Sequence, residues 1–204
     1  MMKLIKLTSI FLFSFLMGCQ LSIAAECSSN TQLFKDASSQ TVSQFLNDNT
    51  QFSSKPNVVT FIGFSGKGYK DEFRLFKIGR RELKNFSPSD TIINIGATAD
   101  GIGALYSLAK DKGFKTMGIV SSQAESAEGV NLSKCVDYVF YIKDSSWGGI
   151  DPKTNTLFPT SQAMIDNSDH IIQIGGGLIG QQEVQAAREI EIPVKSHKAT
   201  PLKN

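Results

Sequence analysis

The stretch His170 to Glu189, HIIQIGGGLIGQQEVQAARE, joins three kinds of sequence end to end. Ile171, Ile172 and Ile174 make an apolar, β-branched run, Gly175, Gly176 and Gly177 follow it, and from Gln181 onward Val184 and Ala187 stand three apart. A nearly continuous apolar run suits a strand covered on both faces, and a three-residue spacing puts side chains on one face of a helix. The reading is strand, close-approach turn, helix, with Val184 and Ala187 facing the sheet. That is one half of a βαβ unit.

The same order recurs along the chain. Further apolar runs stand at Asn57 to Gly63 (NVVTFIG), Thr91 to Gly96 (TIINIG), Phe114 to Val120 (FKTMGIV), Val136 to Ile142 (VDYVFYI) and Ile192 to His197 (IPVKSH). Between them, DEFRLFKIGRRELKNF places Phe73, Phe76, Leu83 and Phe86 at helical separations. GALYSLAKDKG ends in lysines and Gly113 as helices do, and TSQAMIDN supplies another short helix. Strands alternating with helices predict an α/β fold: one Rossmann-like, doubly wound parallel sheet with helices on both faces, spanning residues 55–204.

Upstream of that domain, residues 26–54 form a polar lead-in rich in Ser, Asn and Gln, with one short helix around Val42 to Leu46. Residues 1–25 read as an export signal: Lys3 and Lys6, an apolar run from Ile10 to Met17, then small residues at Ser22, Ala24 and Ala25. Two processing sites compete, SIAAE near Ala25 and LMGC, where Cys19 would be lipidated in the manner of a bacterial lipobox. Cleavage at either leaves a periplasmic or secreted chain, touching the membrane only through a lipid anchor. Cys27 and Cys135 survive both routes and, in an oxidising compartment, are expected to pair.

Charge excludes some partners. With 21 Lys+Arg against 19 Asp+Glu, the chain lacks the excess a nucleic-acid partner would require. A mature chain of roughly 180 residues is long enough for a single core, and a homodimer is compatible with it. The two histidines, His170 and His197, have no carboxylate or cysteine at ligand-like spacing, so no metal and no resident cofactor are expected.

In such sheets ligands sit beyond the carboxyl ends of the strands. Three strand ends carry glycine-rich turns that bring backbone N–H groups close to an anion. After the first apolar run, GFSGKGYKDEF offers Gly63, Ser65, Gly66 and Lys67. After the second, GATADGIGALYSLA offers Gly96, Thr98, Asp100, Gly101 and Gly103; it matches neither the Walker pattern nor GxGxxG, and Thr98 and Asp100 suit a sugar or a helix cap. The third is the opening stretch, with Gly175, Gly176, Gly177 and Gly180, and with Glu183 in the first turn of its helix. Together they point to a nucleotide or related phosphorylated ligand.

The arrangement resembles the SLOG superfamily of Rossmann-like proteins, which includes the Lonely Guy proteins once described as lysine decarboxylases. The likeness runs over about Asn57 to Ser196: GATADGIGA where the family has a GGG..G.MG-like turn, and MIDNSDHIIQIGGGLIGQQEV where it has M...SD.FI.LPGG.GT..E. The resemblance implies a nucleoside-monophosphate site and a role for Glu183 in cleaving an N-glycosidic bond, as in a phosphoribohydrolase. Gly175, Ile179 and Gly180 stand where the family carries proline, glycine and threonine, and the arginine upstream of the motif has no evident counterpart. Ligand binding carries over better than hydrolysis.

Two other functions compete. Ser65 in GFSGK, with Asp169 and His197 or His170, has the chain order of a serine hydrolase, although Lys67 stands where its elbow needs glycine. A non-catalytic module recognising an envelope component would use the polar loop KDSSWGGIDPKTNTLFPTS and its Trp147.

Overall fold

A computed structural model describes residue 27 and residues 30–202. The leader expected over residues 1–25, Cys19 included, lies outside the described residues. The strands are β1 (Gln32–Ala37), β2 (Asn57–Gly63), β3 (Thr91–Asn94), β4 (Lys115–Ser121), β5 (Tyr138–Ile142), β6 (Ile150–Asp151), β7 (Thr156–Leu157), β8 (His170–Ile174) and β9 (Val194–His197). The helices are α1 (Ser39–Asp48), α2 (Glu72–Leu83), α3 (Leu105–Asp111), α4 (Pro159–Asp166) and α5 (Leu178–Glu189). Seven strands form one sheet in the order β1-β5-β4-β3-β2-β8-β9, every neighbouring pair parallel, while β6 and β7 make a small separate hairpin. This is the expected Rossmann-like α/β domain.

Both faces are covered. On one, Leu75, Ile78 and Leu83 of α2 and Leu105, Tyr106 and Ala109 of α3 join Val59, Phe61, Ile93 and Ile172 of the strands in one cluster. On the other, α1 and α4 pack through Val42, Leu46, Ala163 and Met164 onto Ile92, Met117 and Phe140, and α5 seats Val184 and Ala187 beside Ile62 and Ile171. Each fully buried side chain of this size contributes about 1.5–3 kcal/mol relative to exposure. That is why the central strands are uninterrupted apolar runs.

The packed unit starts earlier than Lys55. The lead-in supplies β1, which pairs with β5 at the sheet edge, and α1, whose Ser38 and Thr41 form a reciprocal capping box. Phe34 stacks on Phe140 at 4.5 Å and Phe45 meets Phe34 edge-on at 5.3 Å. As an edge strand β1 buries only Ala37 fully, so it never shows the continuous apolar run that marks the others.

Of the residues read at helical spacing in this segment, Leu83 is buried in the core and Phe76 and Phe86 pack partly buried against it, but Phe73 does not. Phe73 is 76% exposed, and the buried stripe is Leu75, Ile78, Gly79 and Leu83. The cap fixes this rotation: the Asp71 carboxylate accepts from Arg74 N at 2.8 Å, and Gly79 lets α3 approach, since a Cβ there would lie 2.8 Å from Leu105 Cδ2.

Strand order locates the crevice. From β2 the chain steps outward through β3, β4 and β5, then returns to the other side of β2 for β8 and β9. The winding reverses at β2, and ligands of open α/β sheets sit at the carboxyl ends of the strands flanking such a reversal.

Candidate functional site

The three glycine-bearing turns follow β2, β3 and β8, and these are adjacent in space in the order β3-β2-β8. Two buried tyrosines hold the turns in place. Tyr69 Oη donates to Ile174 O at 2.8 Å and accepts from Phe64 N at 3.0 Å, so it ties the end of β8 to the end of β2. Burial pushes its hydroxyl up to about 12, which keeps the proton needed for that bridge. Tyr106 Oη, on α3, accepts from Ile95 N and Ala97 N, both at 3.1 Å, and donates to Met117 O at 2.7 Å. It thereby satisfies the backbone where the chain leaves β3, with Ala97 at φ 61°.

Glycine serves two separate purposes in these turns. At Gly101 and Gly103 a Cβ would run into the carbonyl oxygens of Phe64 and Thr98, at Gly63 it would run into Tyr69, and at Gly180 it would lie 2.7 Å from Ile62 Cγ2. Those glycines permit close packing. Gly96 and Gly177 are different, because a Cβ at either meets nothing within 4 Å and neither needs a left-handed backbone. The space in front of them is a cleft of about 770 Å³.

Ser65, Gly66 and Lys67 line this cleft from β2, Gly96, Thr98 and Asp100 from β3, and Gly177, Gly180 and Glu183 from the α5 side. Asp100 makes no capping bond, which leaves its carboxylate to the cleft. Gly101 and Gly103 lie behind the lining, and Gly175 and Gly176 border a second cleft of about 1060 Å³ on the α2 side. The opening stretch is thus a partition: its first two glycines face one cleft and its third faces the other.

The helix after that turn begins at Leu178, not at Gln181. Gly177 is its N-cap and makes no side-chain cap bond, so the first-turn N–H groups open into the cleft without a capping side chain. This moves Glu183 from the first turn to the second, where its side chain is buried. Glu183 Oε1 accepts from Ser161 Oγ at 2.7 Å, and the same Ser161 Oγ accepts from Gly149 N at 2.7 Å. Burial pushes the Glu183 carboxyl up to about 7, against the opposite pull of the Ser161 hydrogen bond. A carboxyl titrating near neutrality on a cleft wall can work as acid or base at physiological pH. Ser161 is legible in the sequence only as a helix residue, since its partner lies 22 positions away.

Nearby, the Asp144 carboxylate accepts from Thr160 N at 2.9 Å and from Ser146 N and Oγ at 2.8 Å each. Burial works to raise its pKa, and these bonds outweigh it and hold it below the usual range. The result is a fixed loop that carries Trp147 to the rim of the same cleft.

No hydrolase triad assembles. Asp169 lies at the start of β8, where its carboxylate accepts from Val58 N at 2.8 Å, whereas Ser65 follows the far end of β2. Seven strand residues separate those levels by roughly 20 Å. His197 sits in the second cleft, 3.2 Å from the buried Glu82 carboxylate, and His170 lies near the amino end of the sheet against Phe86. Ser168 is likewise occupied, sharing a hydrogen bond with Thr60 Oγ1 and donating to Met164 O at 2.6 Å. Among the described residues no three His, Cys, Asp or Glu side chains come together as a metal would need. No helix among them is long and apolar enough to cross a membrane.

Cys27 and Cys135 form a disulfide. Cys135 precedes β5, so the bond fastens Cys27, five residues before β1, to the end of the sheet opposite the cleft.

Because a Cβ at Gly177 meets nothing within 4 Å, Gly177→Val is expected to lower unfolding free energy by no more than about 1 kcal/mol, the cost of replacing glycine by a poor N-cap residue. Urea unfolding of the variant checks this, and a large loss would mean that Gly177 is a packing glycine after all.

No protein-family model matches the chain, and no curated protein matches it. Among solved structures it is similar to the X-ray structure of TM1055, a Northeast Structural Genomics Consortium target, at 21% identity over 68% of this chain and 72% of that one, with a TM-score of 0.47.

Proposed function

We propose that the protein is an exported, SLOG-like protein that binds a nucleotide or closely related phosphorylated ligand in the cleft over β3, β2 and β8, and that Glu183 acts on its N-glycosidic bond. The observation that carries this reading is the convergence of three turns from distant parts of the sequence onto adjacent strand ends, with two glycines whose missing side chains leave room. Phosphate oxygens would be held by backbone N–H groups of the turns and of the α5 N-terminus, with Lys67 as countercharge. Asp100 and Thr98 would take sugar hydroxyls.

In hydrolysis the bond between the sugar C1′ and the base nitrogen breaks, water oxygen bonds to C1′, and the base nitrogen gains a proton. Ionised Glu183 would stabilise the oxocarbenium-like centre or take the proton of the attacking water. Base release should therefore rise with pH to a plateau above about 7. The disulfide supports export, since such bonds persist in oxidising compartments.

The test is incubation of purified mature protein with a panel of nucleoside monophosphates, following melting temperature and free base. Stabilisation together with base release that Glu183→Gln abolishes supports the whole reading. Stabilisation without base supports binding alone, and neither effect with any nucleotide contradicts both.

A further inference from the structure

The cleft is lined by polar and apolar groups together. Ser65, Lys67, Thr98, Asp100 and Glu183 supply the polar ones, and Ile62, Phe64, Ile119, Val130, Met164 and Ile179, with Trp147 at the rim, supply an extensive apolar lining. Phosphate and sugar account for the polar groups only. A half-apolar cleft with an aromatic rim calls for a ligand that is itself half apolar.

The loop bearing Trp147 is fixed on both sides of it. Before it, Ser146 is bound to Asp144, and Gly148 N donates to Ser146 Oγ at 3.0 Å. After it, Gly149 N donates to Ser161 Oγ, Ile150 N donates to Gln182 Oε1 at 3.1 Å, and Gly149 O accepts from Phe158 N at 2.8 Å. Gly148 and Gly149 hold φ of 100° and 86°, backbone that a residue with a side chain rarely adopts. Yet the indole at the centre of this pinned segment is 47% exposed. A rigid backbone with a half-bare indole at a cleft rim is prepared to stack a flat partner, because the ordering cost is already met in the free protein.

We propose that Trp147 is the specificity-determining wall of this cleft and stacks on a planar heteroaromatic ring of the ligand. The inference rests on the reading of the cleft as a site for a phosphorylated ligand, and it assigns the other end of that ligand. Trp147 and Glu183 line the same cleft, and Ser161 joins their segments: its hydroxyl accepts from Gly149 N, two residues from Trp147, and donates to the Glu183 carboxylate.

Trp147 is the sole tryptophan of the chain, so intrinsic fluorescence reports on it alone. The mature protein is titrated with AMP and with ribose 5-phosphate by fluorescence and by calorimetry, and Trp147→Ala and Trp147→Phe are titrated by calorimetry. AMP is expected to change the emission and ribose 5-phosphate to bind without changing it. Trp147→Ala should weaken AMP roughly tenfold, within the range measured for base stacking on aromatic side chains, and leave ribose 5-phosphate unaltered; Trp147→Phe should recover most of the loss. If AMP binds with no emission change and Trp147→Ala binds it as well as the parent, the stacking role is wrong while the phosphorylated-ligand reading stands. If neither AMP nor ribose 5-phosphate binds, both are wrong.

Discussion

Reduction of the Cys27–Cys135 disulfide is expected to lower unfolding free energy by about 4 kcal/mol. The bond closes a loop of 108 residues, and cross-linking a loop near that length removes about 4.7 kcal/mol of chain entropy from the unfolded state in the loop-closure treatment. Cys135 is buried and Cys27 packs against the same core cluster, so some native contact is retained when the covalent link is cut. A domain of this size loses roughly 2–4 °C of melting temperature per kcal/mol, so a fall on the order of 10 °C should follow. Urea unfolding with and without dithiothreitol, and of Cys27→Ala, checks it. A change under about 1 kcal/mol would show that the unfolded chain is already constrained without the bond.

Replacing Glu183 by Gln is expected to make the protein more stable above neutral pH while removing any hydrolysis. The folded-state pKa is raised from 4.5 to about 7 by burial. Below 4.5 the carboxyl is protonated in both states and imposes no penalty. As pH rises from 4.5 through about 7 the unfolded chain ionises first, so the native state loses stability relative to it, and the loss is complete above the folded pKa. The difference between the two pKa values corresponds to about 3 kcal/mol at 1.36 kcal/mol per pH unit. Gln keeps an oxygen to accept from Ser161 Oγ but has no charge to bury. The variant should match the parent at pH 4.5 and exceed it by up to about 3 kcal/mol at pH 8, read from urea midpoints across that range. Equal stability at pH 8 would mean that the carboxylate is solvated through the cleft.

Such a carboxyl, destabilising where it is ionised, is what a functional group retained at a stability cost looks like. Its position was only partly legible. The residue type and the glycine turn before it are in the sequence, but the sequence points to a helix start at Gln181, three residues after the true one, because Leu178 and Ile179 are apolar and Gly180 reads as turn. In the folded chain Gly180 is helical, and its missing side chain lets α5 lie on Ile62.

The central strands were legible because burial on both faces leaves continuous Val, Ile and Phe runs, and β2 and β8 have the bounds read from the sequence. The edge strand β1 was not, since solvent on one side permits polar residues. Phe76, Leu83 and Phe86 pack on the core as their spacing implies, and Phe73 does not, because it lies before the first turn that packs. Most of the site's meaning lies in adjacency. Nothing local in the chain says that the turns after β3, β2 and β8 are neighbours, or that Ser161 supports Glu183; sheet order supplies the first and the packing of α4 on α5 the second.

The most direct test of the central claim is a calorimetric titration of the mature protein with AMP, run in parallel on Gly177→Val and Gly96→Val. Saturable binding at one site per chain, weakened at least tenfold in both variants while their folding stays intact, is the result predicted from side chains filling the open space before the two turns. Binding that neither variant disturbs would place the ligand elsewhere and contradict the assignment of this cleft.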